Sequence, residues 1–489
     1  MDMILHILSS IFWGICVLSF LVFIHEAGHF IAARMMGMRV VEFFLGLPSR
    51  ARLSFRLKDW GTEIGVTPIV LGGYTKICGM EYGVEGPLKE CLLFAYKQGS
   101  VSVEDVSQAL DVSLDVAESM LDTLVDWASL VCVEVTEDTK DKITGVAPEA
   151  VKEDATGDKN AQTQEDAVEA AKAPAPSYCY KTVARDAKLR TLFDSHHDFS
   201  LPGSKPQGAS WDFPDDVDFY AFERAHTYAG AHFFSRLFCL AMGPLVNVFF
   251  AFVLMLGVFS IGGITTSLNS NTIGKVEAGS IAAETGLVAG DKIFAIDGQM
   301  IENWDDLARA LSKKFESNSG FNLSFSHDQT SVTKHIDAQA LAKAKHFGIQ
   351  AQTTTIYPTL SQSFSLVVAY TKTVIEFCLS LFNPALVGQT VAQSSSVVGI
   401  SNMAAEAASK GMRPFLMLVA MISLSLGCMN LLPIVPLDGG KVFFELIALI
   451  IRRPVPKLFV IVCSYVGIFL FLLLFATTLY NDCVRALLA

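Results

Sequence analysis

The chain has 489 residues, 51% of them hydrophobic and 18% charged, with 49 acidic residues against 37 basic for a formal net charge of −12. So much apolar content excludes general disorder, and ten cysteines in so long a chain exclude a dense disulfide scaffold. The acidic balance disfavours a nucleic-acid binder, whose phosphate contacts need a basic face. A mean hydropathy of +0.42 points to a membrane protein, and leaves the acidity as the odd feature.

The first apolar run, Ile4 to Ile24, is long enough to cross about 30 Å of hydrocarbon at 1.5 Å per residue. It lacks a basic leader region and runs straight into His25-Glu26-Ala27-Gly28-His29, so it reads as a retained span rather than a signal peptide. Residues 1–84 form the first unit. Within it, Arg52 to Leu57 alternates polar and apolar as a half-exposed strand does, and Gly61, Gly65, Pro68, Gly72 and Gly73 supply turns. Residues 85–135 follow, with helical spacing from Val103 to Val125, N-caps at Ser102 and Ser113, and a strand over 129–135. Helix, helix, strand resembles a small winged-helix unit; the eight acids of residues 101–135 and their lack of Lys or Arg make it a protein-contact module rather than a DNA binder. Residues 136–177 contain no aromatic residue and predict a disordered linker. Residues 178–231 regain aromatics; the Trp211-Asp212-Phe213 stretch packs along the membrane core or covers the mouth of a site.

Residues 232–264 hold the second span. Residues 265–352 are soluble in composition. A strand, a short helix, a turn, a strand ending in Asp297-Gly298 and a helix capped by Asn303 resemble a PDZ domain, a module that adds a peptide strand to a sheet edge. Residues 353–413 contain Phe364 to Leu381, apolar but holding Lys372 and Glu376 at i, i+4, expected to lie on the outer surface. Residues 414–440 form the third span and 441–489 the fourth with the C-terminus. The basic residues of 34–58 and 441–457 place both segments inside, so residues 37–235 lie inside and 265–413 outside. The fold class expected is a polytopic α-helical membrane protein of about four spans, with a re-entrant β-hairpin, one extracytoplasmic α+β domain and an acidic cytoplasmic insertion.

His25 and His29 stand at i and i+4 on one helix face, which suits two corners of a zinc tetrahedron, with Glu26 placed to activate water. Polar residues at the end of a span are costly unless they bind something. Zinc catalysis needs a third protein ligand. Asp438, after Pro433 and Pro436 and before Gly439-Gly440, is either a turn aspartate or that ligand. Spans one and three run in the same direction, so their ends share one depth, and Gly243-Pro244 with Asn247 falls at that depth too; a His25, His29, Asp438 site is the physical reading.

These motifs together resemble the site-2 proteases, intramembrane zinc metalloproteases, and most of all their bacterial sigma-E-protease branch with a PDZ domain. The resemblance rests on His25 to His29, Gly72-Gly73-Tyr74-Thr75-Lys76, Gly243-Pro244 with Asn247, and Asn430 to Gly440. It covers roughly 1–84 and 232–489. It implies Zn2+ held by His25, His29 and Asp438, Glu26 as catalytic carboxylate, and substrate contact at Asn430. It also implies a re-entrant hairpin over 43–77, including Gly72, Gly73 and Tyr74, whose edge captures an extended substrate. The partner implied is a single-span membrane protein, such as an anti-sigma factor, in regulated intramembrane proteolysis at the inner or plasma membrane. The active site would lie toward the cytoplasm. A membrane scaffold with a vestigial metal site, or a membrane zincin whose third ligand is a downstream Glu, are the rival readings.

The charge has an address. Residues 101–230 carry 26 acidic and 11 basic residues, and the rest 23 and 26. The membrane part is mildly basic; the acidity belongs to the insertion, where a cytoplasmic protein partner is expected. The cysteines form no Cys-x-x-Cys pair and read as small buried hydrophobes.

Overall fold

The computed structural model describes residues 2–70, 72–80, 86–135, 177–213, 218–327, 330–343, 346–453 and 455–488. The linker expected over 136–177 therefore lies outside the described residues, its last position apart. The chain divides into two compact units, one of Met1–Ala251 with Thr373–Ala489, the other of Phe252–Lys372.

The first unit opens on α1 (Asp2–Met35), which stops where Gly37 takes a φ of 79°, a conformation that glycine adopts without strain. A four-stranded sheet follows: β1 (Val40–Leu45), β2 (Leu53–Arg56), β3 (Glu63–Val66) and β4 (Gly73–Ile77), in the order β2-β3-β1-β4. β1 runs parallel to β3 and antiparallel to β4, with Glu42 opposite Lys76 and Phe44 opposite Tyr74. The expected hairpin is thus part of a larger sheet. Alternation marks a strand but not its partner, and a parallel pairing leaves no local signal. Val40, Phe43 and Ile77 pack on Phe30 and Ala33 of α1, which fixes β4 along that helix.

The insertion holds α2 (Leu88–Gln98), β5 (Ser100–Val101), α3 (Val103–Leu110), α4 (Leu114–Asp126), β6 (Leu130–Val135) and β7 (Ser177–Thr182), with strand order β5-β7-β6. Ser102 and Asp105 make a reciprocal capping box, and Ser113 accepts from Val116 N. Leu92, Tyr96, Val106, Leu121, Leu124 and Phe219 of α5 (Phe219–Ala225) share one core. So the unit does not end at 135: its third strand and part of its core come from beyond the linker. Trp211 and Phe213 stack on each other and pack against this core, rather than along the membrane helices or over a site.

An ion cluster ties the insertion to the membrane part. Arg39, just before β1, is 0% exposed. It donates to Asp194 (2.8 and 2.8 Å) and to Glu223 (2.9 and 3.0 Å). Arg185 donates to Glu223 (2.9 and 2.7 Å) and to Tyr96 Oη (2.8 Å), and Ser129 Oγ donates to Glu223 as well. Two cations thus face two anions in the buried interior. Burial alone would raise the Glu223 carboxyl; the Arg185 and Arg39 guanidiniums outweigh it and hold it well below the usual carboxylate range.

The second helix of the membrane part is α6 (Phe233–Gly262). The second unit has β8 (Ile264–Ser267), β9 (Ile273–Val276), α7 (Ile281–Glu284), β10 (Lys292–Ile296), β11 (Gln299–Met300), α8 (Trp304–Ser317), β12 (Phe321–His327), β13 (Thr330–Ile336), α9 (Ala338–Lys343), β14 (Ile349–Ala351) and β15 (Thr353–Ile356). The sheets are β11-β10-β12-β13, β14-β9 and β15-β8. Asn303 caps α8 by accepting from Asp306 N. Between α8 and β14 runs a groove of about 400 Å³, lined in part by Leu307, Leu311 and Phe347.

The chain closes with α10 (Leu360–Ser380), α11 (Val387–Gln393), α12 (Val397–Ser409), α13 (Met412–Asn430), α14 (Asp438–Ile451) and α15 (Lys457–Leu488). Among the described residues, five helices are long and apolar enough to cross a membrane: Ile7–Met35, Phe233–Gly262, Leu360–Ser380, Met412–Asn430 and Leu458–Asp482. Four were expected; the further candidate, Leu360–Ser380, is the segment expected to lie on the outer surface, and it qualifies by length and composition alone. The third span was expected to carry Asp438 at its end. Its helix instead stops at Asn430, and Asp438 begins α14.

Glu223→Ala leaves two guanidiniums buried without their shared anion, a class of change that costs about 3–5 kcal/mol. It should lower the melting temperature of the detergent-solubilised chain and expose the insertion to protease. Because the native Glu223 carboxyl sits below its ordinary value of 4.5, its stabilisation is fully present above that pH and fades as pH falls toward the native value. A melting profile in Glu223→Ala as steep on the acid side as that of the parent would contradict this.

Candidate metal centre

The site is assembled from α1, α6 and the first turn of α14. His25 and His29 are 7% and 6% exposed. His25 Nε2 lies 2.9 Å from Asp438 Oδ2, His29 Nε2 lies 3.2 Å from the same oxygen, and the two Nε2 atoms are 3.3 Å apart. Among the described residues this is the one cluster of three or more metal-ligating side chains.

The tautomer of His29 follows from its neighbour. Its Nδ1 is 2.8 Å from the Cys239 carbonyl oxygen, which can only accept, so Nδ1 carries the proton and the neutral ring turns a lone pair at Nε2 toward Asp438. Asn247, fully buried, brings its side-chain amide to 3.5 Å from His25 Nδ1. One face of α6 thus holds both imidazoles from behind, as metal-ligating histidines are usually held.

Three ligating atoms face one another at 2.9–3.3 Å, and with both Nε2 atoms unprotonated they repel unless a cation lies among them. Zinc bonds of about 2.0–2.1 Å in a tetrahedron put neighbouring donor atoms roughly 3.3–3.4 Å apart. The three residues fit that ion, and they leave the fourth corner to water or substrate.

Small residues make the approach possible. A Cβ on Gly243 would stand 2.3 Å from His29 Nε2, and one on Gly28 would stand 2.5 Å from the Met242 carbonyl oxygen. α1 and α6 therefore touch backbone to side chain at the level of the ligands. α14 is fixed against α6 by Arg236, which donates to Glu445 at 2.9 and 3.2 Å, with Tyr228 Oη donating to the same carboxylate at 3.2 Å. Gly439 and Gly440 let the first turn of α14 lie against the carbonyls of Leu432 and Ile434, which explains why two glycines follow Asp438.

Glu26 is half-buried and makes no side-chain hydrogen bond among the described residues. β4 passes beside it. Thr75 Oγ1 donates to the Glu26 carbonyl oxygen at 3.1 Å, and a Cβ on Gly73 would lie 3.5 Å from Glu26 Cγ. Gly72 has a φ of 117°, open only to glycine in practice. Tyr74 points to the other face of β4: its ring stacks on Phe44 and its hydroxyl donates to Glu42 at 2.9 Å. Asn430 ends α13, half-buried. Sequence reasoning passed over the Cys239 carbonyl and Thr75. A backbone carbonyl has no signature in a sequence; Thr75 was within the Gly72–Lys76 motif and could have been found by its place in strand alternation. Asn247 was noticed but not given a role.

Comparison with known proteins agrees with this geometry. The profile of peptidase family M50 matches residues 13–474. The "Probable protease eep" of Enterococcus faecalis is 26% identical over 485 residues, covering 98% of this chain and 99% of the relative. The "Zinc metalloprotease RasP" of Bacillus licheniformis is 27% identical over 255 residues, covering 52% of this chain and 60% of the relative. With a zinc-compatible donor set between apolar helices and a family match across nearly its whole length, the chain belongs to peptidase family M50, the site-2 protease family of membrane zinc metalloproteases.

Proposed function

We propose that the chain is an intramembrane zinc endopeptidase that cuts single-span membrane proteins in regulated intramembrane proteolysis. The observation that carries this reading is the meeting of His25, His29 and Asp438 beside an unpaired Glu26 and the outer strand of a sheet. Zinc is the cofactor, held by those three residues. Bound there, it would polarise the scissile carbonyl and acidify a water. The other steps belong to the chain. Glu26, with no partner of its own, takes the proton of the attacking water and returns it to the leaving amine. Cys239 and Asn247 keep the two imidazoles aimed. β4 ends the sheet on the side of Glu26, so its outer edge offers unpaired backbone groups to an extended peptide. A helical substrate hides its carbonyls in its own hydrogen bonds; pairing with β4 from Gly73 onward holds it unwound next to the ligands. Gly72 and Gly73 serve by allowing close approach, and Tyr74 through its backbone. Asn430 contacts the substrate from α13.

The basic residues of 34–58 and 441–457 support a cytoplasmic position for the sheet and insertion. Ser19 Oγ donates to the Val70 carbonyl. Ser19 stands nearly two turns before His25 on α1, about 9 Å at 1.5 Å per residue, so the loop before β4 reaches past the ligands toward the middle of the span, as a re-entrant element would. The second unit is read as an extracytoplasmic PDZ domain whose α8–β14 groove screens substrates, and the helix-strand order of the insertion as a winged-helix-like protein-contact module.

Glu26→Gln should retain zinc, measured by metal analysis of the purified protein, and lose about 10²-fold or more of the cleavage of a single-span reporter; normal cleavage would refute the role of Glu26. Asp438→Ala should lose zinc. Retention of stoichiometric zinc would transfer the third ligand elsewhere. A chelator should stop reporter cleavage by the parent chain and added zinc should restore it.

A further inference from the structure

The edge of β4 has an end, and the insertion makes it. Past Ile77 the backbone is already committed: Gly79 N donates to Asp126 Oδ2 of α4 at 2.8 Å, Cys78 O accepts from Tyr228 N at 2.8 Å, and Gly79 O accepts from Ala229 N at 3.2 Å. A peptide can pair only along Gly73–Ile77. Where that track stops, a groove of about 520 Å³ opens, lined by Glu42, Tyr74, Lys76, Asp126 and Lys441 among others.

The two acids of this groove already have partners, and its two lysines do not. Glu42 accepts from Arg52 at 2.9 Å and from Tyr74 Oη at 2.9 Å. Asp126 is engaged with Gly79. Lys76 and Lys441 are both exposed and have no ion-pair partner among the described residues. Lys76 lies three strand residues beyond Gly73, roughly 10 Å along the track. Lys441 lies three residues beyond Asp438 on α14, about one helical turn. Two lysines thus line one groove, one from β4 and one from α14.

We propose that the insertion completes the substrate groove: Asp126 closes the pairing edge at Gly79, and Lys76 and Lys441 select a substrate carboxylate about three residues from the cut, on the side facing the insertion. This rests on the reading of β4 as the substrate strand. An Asp or Glu at that point meets both lysines; a Lys there meets two like charges, which disfavours it.

The test uses the full-length zinc-loaded chain in phosphatidylcholine vesicles. Two single-span reporters differ only by Asp or Lys three residues from the cut, which is located by mass spectrometry of the product. A second readout is photocrosslinking of each reporter to the Glu26→Gln chain, which needs no turnover. The parent should prefer the Asp reporter about tenfold, the effect of two partly exposed pairs together, and K76E/K441E should invert the preference in both readouts. Equal handling of the two reporters by the parent, or an unchanged preference in K76E/K441E, overturns the proposal. So does a rate set by added phosphatidylglycerol rather than by reporter charge, which would assign the lysines to a lipid headgroup. If the parent crosslinks but cuts neither reporter, the peptidase reading fails, while the crosslinking ratio still decides the selection.

Discussion

Three lone-pair atoms brought within 3.3 Å of one another is the constraint around which the membrane part is arranged. Two come from one helix, which α-helical spacing supplies at no further expense. The third comes from a residue more than four hundred positions away, and its arrival demands contacts that ordinary side chains would block. Gly28 against Met242, Gly243 against His29, and the paired glycines after Asp438 are the result. The Arg236–Glu445 pair and the Cys239 carbonyl then remove the remaining freedom of α14 and of the His29 ring.

The ion cluster does a related task for the insertion. Arg39 sits where α1 gives way to β1, so whatever fixes its guanidinium also fixes the start of the sheet that carries β4 next to Glu26. Asp194 and Glu223 belong to the insertion and Tyr96 to its first helix. The insertion is therefore not a tethered ornament. Its core and the start of the sheet that carries β4 share a buried, charge-balanced junction.

How far this could be read from the sequence depended on the range of each interaction. His25, Glu26 and His29 stand out because five residues encode them and an apolar background isolates them. Asp438 followed once the spans were oriented. The caps at Ser102, Ser113 and Asn303 are likewise local, and the structure shows each accepting a backbone N–H. Pairings between distant segments left no trace: β3 beside β1, β7 beside β6, and Arg39 with partners 155 and 184 positions away. The helix over Leu88–Gln98 went unread, and the expected single third span through Asp438 is broken at Asn430. Prolines announced that break, but not that a new helix would begin on the ligand itself.

One register detail bears on how such a chain can change. Val135 and Ser177 are cross-strand partners, so the strand ends on either side of positions 136–176 stand next to each other. Closing a flexible loop between fixed ends costs only about 0.6 kcal/mol more for each doubling of its length. The number of residues between these two neighbouring strand ends is thus a weak lever on stability. The pair is a splice point: sequence can be gained or lost there, and the zinc ligands, the edge strand and the junction at Arg39 need not register the difference.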